Sequence, residues 1–284
     1  MEISAQQVKE LRGKTGAGMM DCKKALAESA GDLEKAVSIL REKGIAKAAS
    51  KEGRTTSEGI IVSVIHPGDK LGAMVEINCE TDFVARTDKF REFAKQIATE
   101  IGPMTVTTVD DLLNQKMNGK AVADIVKETI GSLGENMHLK RFVRFKSDAY
   151  VTSYIHPGDK LGVMVEVSGG SGSDDRFRTF ARDIAMQVAA TSPMCVRREE
   201  LDQTVLAKER EIYRQQALNE GKPEKIIDKI ADGKIEKFFS EVVLMEQLFV
   251  KDNDKTIGSL VKETSAAIGS PITVKRFVRF RLGE

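Results

Sequence analysis

The chain has 284 residues, 41% of them hydrophobic, enough to bury a sizeable core and to form two or three domains. Its 44 basic and 43 acidic residues nearly cancel and it has no tryptophan, so it lacks both the phosphate-neutralising charge and the stacking platform of a nucleic-acid binder. No apolar run approaches the roughly 20 residues of a membrane helix, Glu2 leads into no secretory core, and Cys22, Cys79 and Cys195 are odd in number and far apart, so a cytoplasmic chain with reduced thiols is expected.

Residues 1 to about 43 read as three short helices. Ser4 caps the first, with Val8 and Leu11 on its apolar side, and Thr15-Gly-Ala-Gly18 breaks it. Met19 to Ala30 forms the second. Asp32 caps the third, where Leu33, Ala36, Val37 and Leu40 follow the spacing of a buried stripe and Gly44 lies past the end. Gly13-Lys14-Thr15 looks like the end of a phosphate-binding loop, but Val8 stands where that motif needs its first glycine, and a helix precedes it instead of a strand. Met19 and Met20, after a glycine-rich turn, read either as core or as an adaptable contact surface. From Ile45 to Glu58, with Lys47, Lys51 and Arg54, the composition is that of a solvated linker or a frayed helix end.

The chain then repeats itself. Ile60 to Ile77, with His66-Pro-Gly-Asp-Lys-Leu71 at its centre, recurs as Tyr150 to Val167 with His156-Pro-Gly-Asp-Lys-Leu161, an offset of 90 residues. Val126-Lys-Glu-Thr129 and Arg141-Phe-Val-Arg-Phe145 recur as Val261-Lys-Glu-Thr264 and Arg276-Phe-Val-Arg-Phe280, an offset of 135. Each unit is therefore expected to be a hairpin, helix, helix and strand, the second carrying 45 extra residues, the difference between the two offsets. The extra residues fall between roughly Ser192 and Val250 and read as a helical hairpin: Glu199 to Leu218 with a sparse seam of Leu201, Val205, Ile212 and Leu218, a stop at Gly221-Lys-Pro223, and a second helix from Glu224. Such a projection can hold a partner or a second copy of the chain. In the closing strand, Arg141 and Arg144 fall on opposite faces, and its phenylalanines read as core before they read as an RNA-contacting strand.

Between the first hairpin and the helix opened by Thr87-Asp88 stands Asn78-Cys-Glu-Thr-Asp-Phe-Val-Ala-Arg86; the second hairpin leads instead into Ser168-Gly-Gly-Ser-Gly-Ser173. A Phe in this turn either caps the local core or serves a partner. Its absence from the second repeat favours the partner, because a structural Phe would recur with the scaffold. No catalytic set competes with that reading: the nucleophile elbow, HExxH and dinucleotide fingerprints are missing. His66, Asp69, His156 and Asp159 read as turn residues before metal ligands. His138 has no partner in sequence, and Glu80 and Asp82 share a face only in part.

Val8-Lys-Glu-Leu-Arg12, Thr15-Gly-Ala-Gly-Met-Met-Asp-Cys-Lys-Lys-Ala-Leu26, Asn78 to Arg86 and Ser153 to Val163 closely resemble the bacterial translation elongation factor Ts family, over essentially the whole chain. The resemblance implies an α+β fold with a ubiquitin-associated-like (UBA-like) three-helix domain at residues 1–50, a core subdomain at 51–147, and a related one at 148–284 that carries a helical coiled-coil insertion at about 192–250. It also implies a guanine nucleotide exchange factor for elongation factor Tu that performs no chemistry and needs no cofactor or metal of its own. In that family Thr81, Asp82, Phe83 and Val84 would disturb the GTPase's magnesium site, with Phe83 as wedge and Asp82 as its polar neighbour. His156 would touch the same region, and Arg12, Met19 and Met20 match positions that touch the GTPase domain. Some members continue into a C-terminal helical module beyond the position of Arg281-Leu-Gly-Glu284, so binding is expected to lean on the N-terminal helices and the core. No direct nucleic-acid contact is expected, a homodimer through the hairpin is open, and the runner-up function is a translation-associated adaptor or chaperone without exchange activity.

Overall fold

A computed structural model describes residues 3–284; Met1 and Glu2 lie outside the described residues, as do the side chains of Ile45 and Lys47, and with them the readings that fell on Glu2 and Lys47. Three helices come first: α1 (Ala5–Thr15), α2 (Met19–Glu28) and α3 (Leu33–Ala49). Ser4 and Gln7 form a capping box on α1, and Asp32 accepts the backbone N–H groups of Glu34 and Lys35 to start α3. Val8, Leu11, Cys22, Ala25, Leu26 and Ala36 close a small core between them. Val37, expected in the buried stripe of α3, is exposed; Leu33 and Leu40 only flank the core.

The first repeat then runs β1 (Glu58–Ile65), β2 (Leu71–Cys79), α4 (Asp82–Ala85), α5 (Asp88–Ile101), α6 (Val109–Leu113), β3 (Lys116–Met117), β4 (Lys120–Ala121), α7 (Val122–Leu133) and β5 (Met137–Lys146). The second runs β6 (Tyr150–Ile155), β7 (Leu161–Ser168), α8 (Asp175–Thr191), α9 (Gln203–Asn219), α10 (Glu224–Val242), β8 (Leu248–Phe249), β9 (Asp252–Thr256), α11 (Ile257–Ile268) and β10 (Thr273–Arg281). Each repeat builds one antiparallel three-stranded sheet with the second strand of its hairpin in the middle, in the orders β1-β2-β5 and β10-β7-β6. The fold is α+β. No helix among the described residues is long and apolar enough to cross a membrane.

The central strands β2 and β7 are buried along almost their whole length because each sheet is covered on both faces. One face meets helices: Phe90, Phe93, Ala94 and Ile97 of α5 pack on Ala73, Val75 and Ile77, while Phe177, Phe180, Ala181 and Ile184 of α8 pack on Val163, Val165 and Val167. The other faces meet each other through Ile61, Met74, Phe145, Val151, Met164 and Phe280.

Contacts between the sheets come in exchanged pairs. The Ile61 N–H donates to the Asp159 carbonyl at 2.7 Å, and the Val151 N–H to the Asp69 carbonyl at 2.6 Å. Ser63 and Ser153 share a hydrogen bond of 2.9 Å across the centre. Arg141 pairs with buried Glu76 (2.7 Å) and lies over the Phe280 ring of the other sheet at 4.4 Å; Arg276 pairs with Glu166 (2.6 Å) and lies over Phe145 at 4.1 Å. Thus the arginines of the Arg-Phe-Val-Arg-Phe strands lock the two sheets together. On the opposite face of β5, Arg144 donates to the Gly102 carbonyl at 2.6 Å.

Two expectations need correction. The third helix does not stop at Gly44 but continues to Ala49. Gly44 lies inside it, where α3 crosses α7: a Cβ on Gly131 would stand 2.6 Å from the Gly44 Cα, so the glycine serves close approach of two backbones instead of termination. In the helical hairpin, Leu201 is buried, but Ile212 and Leu218 of the expected seam are exposed. The seam runs instead through Leu206, Tyr213 and Ala217, facing the buried Ile235 and Phe239 side of α10. With so few apolar residues the register is set by polar rungs, Arg210 to Asp232 and Arg214 to Asp228. At the root, Arg198 pairs with Glu236 (2.8 Å) and Glu246 while lying over Phe239.

Candidate functional site

The stretch after β2 folds into α4, a single helical turn too short to stand on its own hydrogen bonds. Thr81 caps it from an extended conformation, its hydroxyl accepting the Val84 N–H. The four residues of the segment therefore take different roles. Thr81 anchors the turn, Val84 packs against the first module's core, and Asp82 pairs with Arg86 at 2.8 Å. Phe83 is left pointing to solvent, 81% exposed. The alternative that Phe83 caps the local core is overturned, since the apolar positions of this turn that face inward are Val84 and Ala85.

Under α4 lies a compact polar brace. Glu135 accepts the Thr81 N–H at 2.9 Å and the Thr81 hydroxyl at 2.6 Å; one residue on, the Asn136 N–H donates to Glu80 at 2.6 Å. That bond, with Arg54 at 3.5 Å from the carboxylate, holds the Glu80 carboxyl below its usual range. The Asn136 side chain donates to the Arg54 carbonyl, and Lys51 donates to the Gly134 carbonyl, tying the brace to the chain that leaves α3. Cys79, at the end of β2, donates to the Thr81 carbonyl; burial, and then the nearby Glu135 charge, push its thiol up to about 12.

The start of α5 touches the loop that precedes Met19 and Met20 and the turn that contains His156. Lys89 reaches the Gly16 carbonyl (3.4 Å), and burial lowers its ammonium pKa. Gly16 closes α1 by donating to the Arg12 carbonyl and precedes Met19 and Met20, which are 59% and 64% exposed. Two residues beyond Lys89, Arg91 pairs with Asp159 at 2.5 Å, in the second hairpin's turn. His156 begins that turn, exposed, with its Nδ1 2.9 Å from the Tyr154 hydroxyl. Asp69 and Asp159 occupy left-handed turn positions at φ 54° and 57°, as their reading as turn residues requires. Arg12 is exposed at the end of α1.

Sequence reasoning missed Glu135, Asn136, Lys89 and Arg91. The first two were legible in the repeat: at the offset of 135 the second module has Ser270-Pro271, which carry neither the carboxylate nor the N–H. Lys89 and Arg91 join segments distant in sequence, and nothing in the local pattern marks them. Among the described residues no three His, Cys, Asp or Glu side chains gather as metal ligands. A pocket of about 200 Å³ between α3 and α7 is lined by Lys14, Arg41, Lys120 and Glu128 and by no residue of α4.

Fold and site together define a repeat-built α+β protein that presents Phe83, Met19 and Met20 to solvent, Phe83 on a turn capped by Thr81. The family model described as Elongation factor TS matches residues 80–284. Proteins named Elongation factor Ts from Clostridium perfringens and Clostridium botulinum are 50% and 51% identical over 284 residues, covering 99% of this chain and 93% of each relative. The chain belongs to the elongation factor Ts family, and so to the factors of translation elongation in protein biosynthesis.

Proposed function

We propose that the protein is the guanine nucleotide exchange factor for elongation factor Tu: it binds the GDP-bound GTPase, disturbs the magnesium and phosphate site with Thr81 to Val84, and releases GDP. The observation that carries this reading is Phe83, a large apolar side chain held out of its own core on a braced turn. Exposure of that kind is unfavourable in the free protein and points to a partner that buries it. Arg12, Met19, Met20 and His156 are the further contacts, and Asp82 is the polar neighbour of the wedge. Residues 1–50 act as a UBA-like domain, 51–147 and 148–284 as the two core subdomains, and α9 with α10 as a coiled-coil insertion. The protein works in the cytoplasm and supplies no chemistry of its own.

The physics is linkage. A protein that binds the nucleotide-free GTPase more tightly than the GDP-bound form must weaken GDP by the same factor. Burying Phe83 contributes on the order of 2 kcal/mol, or about 1.5 decades in an equilibrium constant, so the wedge acts together with the other contacts. Stopped-flow release of a fluorescent GDP from elongation factor Tu tests this. The intact protein should accelerate release, and Phe83→Ala should accelerate it less while still binding. Binding without acceleration by the intact protein would leave an adaptor in place of an exchange factor.

A further inference from the structure

The brace beneath α4 is present only where the aromatic is present. Counting from the central strands, Glu80 and Thr81 follow β2 where Gly170 and Ser171 follow β7. Counting from the left-handed glycines that end α7 and α11, Gly134 and Gly269, Glu135-Asn136 stands in the first module and Ser270-Pro271 in the second. Both carboxylates are missing from the second module, and Pro271 cannot donate the bond that the Asn136 N–H gives to Glu80. The scaffold around these positions recurs, so the brace is no requirement of the fold.

We infer that Glu135 is a positioning residue for Phe83, holding the wedge in the orientation that meets the partner; this rests on the exchange reading above. A one-turn helix has no orientation of its own, and the Val84 N–H reaches its cap at only 3.4 Å. Glu135 supplies what the helix lacks. Its carboxylate fixes the backbone of Thr81 through the N–H and turns the hydroxyl so that the proton points to Glu135 and a lone pair to Val84. The Glu80 bond from Asn136 closes the exchange in the opposite direction, so the strand exit and the turn after α7 cannot slide past each other. Phe83 itself touches none of this and is set through Thr81.

The absence of tryptophan makes a direct test possible, since Phe83→Trp gives a chain with one indole at an exposed site. Time-resolved anisotropy of that indole should show slow tumbling with little local motion, and adding Glu135→Ala should bring in a fast local component. Ser270→Ala, at the matching position of the second module, should not. In exchange assays at saturating factor, Glu135→Ala should lower the GDP release rate about tenfold, the worth of a charge-assisted hydrogen bond, and should add nothing in a Phe83→Ala background. Glu135→Asp should recover part of the loss, and serves for both measurements if the alanine variant does not fold. Equal immobility of the indole with and without Glu135, or the same rate loss in the Phe83→Ala background, overturns the inference. If the intact factor fails to release GDP at all, the exchange reading falls alone, and the anisotropy still decides whether Glu135 sets the turn.

Discussion

Both modules stack a helix on a three-stranded sheet with nearly the same side chains: Phe90, Phe93, Ala94 and Ile97 in the first answer to Phe177, Phe180, Ala181 and Ile184 in the second. The offset between the modules is 90 residues at Gly72 and Gly162 but 87 at Phe90 and Phe177. The first module is therefore three residues longer between these landmarks, in the stretch that contains the turn with Phe83. The core dictates what must recur, while the connection leaving the central strand is free to differ. One module spends that connection on an outward aromatic and its brace; the other passes through glycine and serine into a helix capped by Asp174.

The widest contrast is between aromatics of the same type. Phe177 is fully buried against Tyr150, with ring centroids 5.3 Å apart, and Phe90 is as deeply buried. Either Phe→Ala change should cost about 3–5 kcal/mol through the cavity it leaves. Phe83→Ala should change stability by less than about 0.5 kcal/mol, although the proposed activity depends on it. Urea denaturation of the three variants measures this, and a large loss at Phe83 would return that side chain to the core.

A finer contrast lies in the paired arginines. Glu76 is fully buried and its partner Arg141 is 30% exposed, whereas the Glu166 side chain is 11% exposed and Arg276 is 51% exposed. Removing Arg141 strands the more deeply buried carboxylate, so Arg141→Ala should cost about 3 kcal/mol and Arg276→Ala only about half of that. Equal losses in denaturant midpoints would show that the two sheets share the lock evenly.

How much of this was legible follows from where the determining contacts lie. The two hairpins, the capped helices and the outward turn were readable because Pro-Gly turns, Ser, Thr or Asp caps and a 90-residue repeat are local signals. Gly44 was misread because a glycine near the end of a periodic stripe looks the same whether it ends a helix or admits a neighbour, and its neighbour, Gly131, is 87 residues away. The hairpin seam was misread because Ile212 and Leu218 are apolar yet face outward, while the inner face relies on Arg210 and Arg214 reaching acids of the other helix. At the site, Phe83 and its neighbours stood out by chemistry. What holds them, Glu135 and Asn136, comes from the far end of the module, and only the comparison of repeats could have shown it.

The crossing of α3 on α7 has no counterpart in the second module and gives a smaller effect. Gly131→Ala gains about 1 kcal/mol of helix propensity, but its Cβ would stand 2.6 Å from the Gly44 Cα and 2.8 Å from the Gly44 carbonyl oxygen, so the helices must part. A net loss of about 1 kcal/mol is expected, together with faster proteolysis between Ser50 and Ser57. Unchanged proteolysis would mean that α3 is held by the ion pairs of Arg41 with Asp124 and Glu128 and not by the close crossing.

The smallest effect separates the modules by pH. Both carry a carboxylate beside the turn that follows the central strand. Asp174 is held down to about 2 chiefly by Arg176 in its own helix, whereas Glu80 is lowered chiefly by the N–H of Asn136, 56 residues away. Since each folded pKa lies below the ordinary value, 3.8 for Asp174 and 4.5 for Glu80, each contribution to stability is complete above that value and is lost as the pH falls through the folded one. Acid should thus weaken the brace beneath Phe83 through a contact between distant segments, and the second module through a cap within one helix. Amide shifts of Asn136 and Arg176, followed by NMR from about pH 5 to about pH 2, should both titrate below the ordinary values, with Asp174 near 2. An Asn136 amide that titrates above 4.5 would mean that its bond favours the protonated form of Glu80, and the brace would then rest on Glu135 alone.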